Sequence, residues 1–200
     1  MLFRSQWDAH ERVESPDIAF QDFSCATQAH TLVHWEFQFE AQFRVEIEPG
    51  LLNITLRVTN NDANILQFTG ALHTYLAVDD IALTELRGLE GLPEWDAVED
   101  AHAIAPASLH FDGEFDRVYH AGDTALHLQD GSSVLQIKQS PSWAHTVVWN
   151  PGAEKSVELP DLPDDGFARM LCVEAAQVFD TIHLEPQDQW EGWQRLRVVG

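Results

Sequence analysis

EFQFEAQFRVEIEPG, residues 36–50, decides the fold. Phe37, Phe39, Ala41, Phe43, Val45 and Ile47 occupy odd positions, and Glu36, Gln38, Glu40, Gln42, Arg44, Glu46 and Glu48 occupy even ones. A period of two held over this length puts the apolar side chains on one face of an extended strand and leaves the other face to water. Pro49-Gly50 supplies a turn. Leu52, Ile54, Leu56 and Val58 then continue the apolar face from even positions until Asn60-Asn61-Asp62 ends the run. The two runs form an antiparallel hairpin.

The rest of the chain follows this lead. Residues 65–78 are apolar without clean alternation, which predicts a strand covered on both faces with a bulge at Gly70. Residues 81–87 read as a strand, 88–93 as a loop, and 94–113 as a polar, Ala-rich excursion of weak pattern. TALHLQ (124–129) and SVLQIKQ (133–139) flank Asp130-Gly131 and form a second hairpin. Further strands are expected at 143–149, ending at Asn150-Pro151-Gly152, at 168–175, and at 191–199, with a turn-rich loop over 159–167. No amphipathic helix, repeat or linker interrupts the pattern. The expectation is an all-β sandwich of about ten strands, one domain over residues 1–200.

Composition narrows the function. The net charge is −22, from 33 acidic against 11 basic residues. With no basic stripe to neutralise phosphates, nucleic acid is excluded as a partner, and an anionic membrane surface with it. No apolar run reaches the roughly 18 residues that span a bilayer, and residues 1–14 lack the apolar core of a signal peptide. Cys25 and Cys172 share no metal-type spacing and are expected to be free thiols of a cytoplasmic protein. His30 and His34 have i, i+4 spacing but precede a strand and lack a nearby third ligand, so no metal is expected.

Two polar residues stand inside apolar strands. His73 lies in ALHTYLAV (71–78) and Glu174 in RMLCVEAAQV (169–178). A carboxylate in such a run is seldom buried unless paired or functional; the alternative is a strand-end glutamate reaching solvent. On its own, His73 fits a hydrogen-bonded core histidine better than a proton donor.

Four stretches in order alter that balance. ALHTYLAVDDI (71–81) resembles the histidine motif of the glucose-6-phosphate 1-epimerases, the hexose-6-phosphate mutarotases of the aldose 1-epimerase superfamily. FDRVYH (115–120) resembles their Asp-Arg-Val-Tyr motif, while VVWNPG (147–152) and DLPDDGFARMLCVEAA (161–176) resemble their C-terminal signature. Trp190, Gly192 and Gln194 partly match a final W-x-G-x-Q run. The resemblance implies a galactose-mutarotase-type β-sandwich that interconverts sugar anomers by ring opening. It implies His73 as acid, Glu174 as base and Asp116 as acceptor of hydrogen bonds from sugar hydroxyls, with no metal or organic cofactor. A histidine near neutral pH can hold the proton, and nearby carboxylates are expected to favour the charged form of His73. Asp116 alone could equally be a turn aspartate. Trp149, beside the Asn150-Pro151-Gly152 turn, can stack on a pyranose or pack in the core.

The family's N-terminal Arg-Gly-Gly and Trp-Pro-Trp-Phe segments do not occur in these 200 residues. MLFRSQW (1–7) resembles the inside of the family's His-Gly-Phe-Ala-Arg motif, which makes Arg4 a candidate phosphate ligand through its planar fork. A sandwich without those strands exposes edges and an apolar face, so self-association is expected. Two other readings stay open: a non-catalytic sugar-binding homologue, and an epimerase of a free aldose.

Overall fold

A computed structural model describes residues 6–28 and 35–200. Fifteen strands are formed among them. They are β1 (Asp8–Glu14), β2 (Ala19–Ala26), β3 (Phe39–Glu48), β4 (Leu51–Asn60), β5 (Leu66–Leu72), β6 (Tyr75–Ala77), β7 (Glu85–Arg87) and β8 (Pro93–Asp96). After them come β9 (Ala101–Ile104), β10 (Phe115–Tyr119), β11 (Leu126–Asp130), β12 (Ser133–Gln139), β13 (His145–Asn150), β14 (Met170–Leu184) and β15 (Gln189–Val198). One short helix, α1 (Gly152–Ser156), and two 3₁₀ turns complete the described elements.

The strands make two sheets. The first is eight-stranded in the order β1-β2-β3-β4-β15-β12-β11-β7. The second is seven-stranded in the order β5-β14-β13-β10-β8-β9, with β6 also paired to β14. Every pairing is antiparallel. The all-β sandwich is therefore as expected, with more strands.

The 36–58 hairpin is present in the expected register. Glu48 pairs with Leu51 across the turn, and Ala41–Val58, Phe43–Leu56 and Val45–Ile54 put the apolar sets on one face. Gly50 has φ +71°, a left-handed conformation that glycine adopts without a Cβ clash. Between the sheets, Leu171 and Val173 of β14, Val148 of β13 and Phe115 and Tyr119 of β10 meet Leu126, Leu128, Ile137 and Leu196 of the first sheet. Burying a side chain of this kind contributes about 1.5–3 kcal/mol, so this layer fixes how β14 and β13 sit. Side chains alternate along a strand, so the next residues, Cys172, Glu174 and Trp149, face away from the layer.

Several local expectations are corrected. Residues 65–78 form two strands, β5 and β6, and β5 has an open face (exposed at Gln67, Thr69, Gly70 and Ala71). The irregularity near Gly70 lies on its partner: the β5–β14 register jumps between Gln177 and Ile182, so the extra residues belong to β14. Residues 81–83 are a 3₁₀ turn because the Asp80 side chain accepts from the Ala82 N–H, and only Glu85–Arg87 is strand. The 94–113 excursion contains the β8–β9 hairpin, whose β9 is exposed throughout. Cys25 and Cys172 are both buried free thiols, as expected. No helix of the described residues is long and apolar enough to cross a membrane.

Candidate active site

The chain turns at His73. The Thr74 N–H donates to the Leu72 carbonyl at 2.9 Å, closing a three-residue turn with His73 at its apex, so β5 stops and β6 resumes at Tyr75. Pairing with β14 continues through the break. Leu72 opposes Ala175 and Tyr75 opposes Cys172, which leaves His73 opposite Glu174. The Val173 N–H donates to the Thr74 carbonyl at 3.2 Å within this gap. Cross-strand neighbours on one face lie within side-chain reach, and His73 Nδ1 stands 3.3 Å from Glu174 Oε1. The histidine side chain is 51% exposed and the glutamate 6%, so one is at the surface and the other at the floor.

Aromatic rings frame the pair. Tyr75 stacks on His73 with centroids 4.9 Å apart and planes 13° off parallel. Trp149 meets His73 edge-on at 5.8 Å and Tyr75 at 6.3 Å. Asp116 pairs with Trp149 across β10 and β13, and Trp149 pairs with Cys172, so Asp116, Trp149, Cys172 and Tyr75 form one row across the sheet. Trp149 is thus a wall of the site rather than a core residue. Its position is held from the next residue: the Asn150 amide donates to the Phe167 and Met170 carbonyls, both at 2.8 Å, tying the end of β13 to the start of β14. Gly152 closes this turn at φ +66°, where a Cβ would stand 2.4 Å from the Gly113 backbone.

Burial dominates the electrostatics. It pushes the Glu174 carboxyl up to about 7, with the charge of Asp116 adding to the effect. Burial also raises Asp116, helped by Glu114 and opposed by Lys155 and Arg117. At His73 two influences oppose each other. Desolvation pulls its pKa below the usual value, and Asp116 works in the expected upward direction but is the smaller influence. Nearby carboxylates therefore do not fix a permanent imidazolium, because removing water from the ring costs more than they return.

Two residues with a part in this geometry were not singled out from sequence for it. Tyr75 caps the His73 ring, and its signal was its place two residues on in the same motif. Gln194 of β15 is fully buried and reaches across from the first sheet. Its Oε1 accepts from the Thr74 hydroxyl at 2.5 Å, and its Nε2 donates to the Val173 carbonyl at 2.9 Å. These are the residues next to His73 and Glu174. Arg4, His30 and His34 lie outside the described residues.

Residues 3–197 match the family described as Aldose 1-epimerase. The chain belongs to the aldose 1-epimerase family. Among its relatives, a Cenchrus ciliaris protein named "Putative glucose-6-phosphate 1-epimerase" is 31% identical over 187 residues, covering 90% of this chain and 57% of that protein. An Escherichia coli protein of the same name is 28% identical, covering 96% of this chain and 65% of its own length. The chain therefore spans less than two thirds of these aldose 1-epimerase relatives. A Salmonella typhimurium crystal structure described as a "putative mutarotase" superposes with a TM-score of 0.86 at 24% identity, covering 96% of this chain and 64% of that one, and shows the same fold.

Proposed function

We propose that the protein interconverts the α and β anomers of a hexose 6-phosphate by acid–base ring opening. The observation that supports this reading best is the His73–Glu174 contact, a proton donor and acceptor 3.3 Å apart beside two aromatic rings on an open sheet face. The anomeric hydroxyl and the ring oxygen share carbon C1, so two groups in mutual contact can address both. Glu174 takes the hydroxyl proton while His73 delivers one to the ring oxygen, and the C1–O5 bond breaks. The free aldehyde rotates about C1–C2, and the reverse transfers close the ring on the other face.

The pair shares one proton. With its pKa near 7, Glu174 is part ionised at neutral pH and suited to serve as a base there. The working form puts the proton on His73, a placement that Asp116 favours and burial opposes. Each positioned transfer contributes typically 10²–10⁴-fold. Asp116 accepts from sugar hydroxyls and Trp149 packs on the ring face. The hexose 6-phosphate assignment follows the names of the relatives, with Arg4 as the phosphate ligand. Exchange NMR between the anomers of glucose 6-phosphate, with glucose and galactose in parallel, tests it. A well-folded sample giving no rate above buffer on any of the three refutes the enzyme reading.

The rings of Tyr75 and Trp149 beside His73 on an open sheet face also suit a second reading: sugar binding without turnover. Saturable heat on titration with sugar, together with no exchange, is its signature.

A further inference from the structure

Cys172 has no part in that reaction, yet its side chain belongs to the same cluster. It follows Trp149 in the cross-strand row and lies two residues before Glu174 on the same face of β14. One ligand atom each from His73, Cys172 and Glu174 lies within 4.8 Å of the others. Nitrogen, sulfur and carboxylate oxygen are the donors that a borderline-soft divalent cation accepts, and three protein ligands leave a fourth position for water. Metal–ligand bonds of about 2.0–2.3 Å require these atoms to draw together slightly. Cys172 and Glu174 sit on a buried strand, whereas His73 is half exposed at the apex of a turn and has the most room to adjust.

We propose that His73, Cys172 and Glu174 form a capture site for a thiophilic divalent cation of the zinc class, and that capture switches the acid–base pair off. The cation displaces the thiol proton to solvent, and the thiolate, the neutral imidazole and the carboxylate each donate a lone pair. With those lone pairs committed, neither His73 nor Glu174 can move a proton. The inhibition half of this proposal rests on the acid–base reading above, while the capture half does not.

The experiment uses the full chain, reduced and stripped with a chelator, titrated with cobalt(II). The expected result is one equivalent of cobalt with a thiolate-to-metal charge-transfer band in the near ultraviolet, bleached by added zinc. Cys172→Ser removes the band and Cys25→Ser keeps it. His73→Asn weakens the metal by at least the roughly 10–100-fold that loss of even a supporting partner costs. No band in the unmodified chain, or a band that survives Cys172→Ser, overturns capture. If Cys172→Ser does not fold, Glu174→Gln with a cobalt affinity equal to that of the unmodified chain overturns it instead. Separately, zinc is expected to stop anomer exchange in the unmodified chain and to spare it in Cys172→Ser. Exchange that persists at saturating zinc overturns the inhibition. A chain with no exchange at all sinks the proposed function, and the cobalt titration still decides capture.

Discussion

The two sheets each turn a polar face to water, and the two faces are built on opposite principles. On the first sheet a groove of 660 Å³ is lined by His10, Ser24, Asp22, Gln42, Arg44 and Arg57 among others. Its arginines are held by carboxylates: Arg44 forks onto both oxygens of Asp22 at 2.6 Å, and Arg57 grips Glu191 at 2.6 Å. Pairing pulls the Asp22 carboxyl below its usual value. On the second sheet, Glu174 is buried beside a half-exposed histidine and near a second carboxylate, and its carboxyl is pushed up to about 7. Space alone marks the first face, whereas the second holds a buried carboxylate whose proton affinity is raised. Satisfied charges are chemically idle, and it is the poorly compensated ones that can do work.

The sharpest way to break this contrast is to neutralise each face in turn. Glu174→Gln and His73→Asn should each lower anomer exchange by about 10²–10⁴-fold, whereas Asp22→Asn with Arg44→Met should leave it unchanged. Exchange NMR on the three proteins decides, and a loss on the groove side would place the chemistry on the wrong sheet.

A second test uses the opposite signs of the two carboxylates. Glu174 binds its proton more tightly folded than unfolded, so stability falls as pH rises from about 4.5 to about 7 and stays lower above. Glu174→Gln should therefore gain on the order of 3 kcal/mol relative to the parent at pH 8. Asp22 behaves in reverse: its contribution is present above its unfolded pKa and is lost as pH falls through the lowered folded value. Urea unfolding across pH shows both slopes. In a chelating buffer, exchange should fall as pH rises through about 7, because the pair then loses the one proton it shares.

Gln194→Leu is a test of the support beneath the site. It takes the Gln194 amide from the Val173 carbonyl and leaves the Thr74 hydroxyl only its 3.3 Å contact with the Leu72 carbonyl, at about 1–3 kcal/mol for a buried group left unsatisfied. The signature that separates positioning from mere stability is a fall in kcat with KM held, measured well below the melting temperature. The smallest effect belongs to the groove: Arg44→Met should cost no more than about 1 kcal/mol, and less at high salt, as an exposed pair does.

Legibility in the sequence followed the physics of each segment. The 36–58 hairpin was plain because a wet face and a dry face impose alternation without reference to any other strand. The β8–β9 hairpin was invisible because β9 is exposed throughout and nothing forces its residues to alternate. Strand β14 looked like 168–175 but runs to Leu184, since the register jump after Gln177 scrambles its period. Residues 81–87 carry apolar spacing that suits a strand, and the Asp80 cap outweighs it. His73 and Glu174 were found through a motif resemblance. Their meeting depends on the pairing of β5 and β6 with β14, a long-range register that no local pattern encodes. The desolvation that opposes the carboxylates at His73 was illegible for the same reason, because it belongs to the assembled site.

Gln194 gives the sandwich a mechanical property. Its one amide, rooted in the eight-stranded sheet, holds the neighbours of both His73 and Glu174 in the other sheet. If one sheet slides on the other, the two neighbours are carried along together, like the jaws of a calliper on a single beam. The gap between His73 and Glu174 is thereby insulated from shear of the sandwich, and what shear alters is the direction in which the closed jaws point.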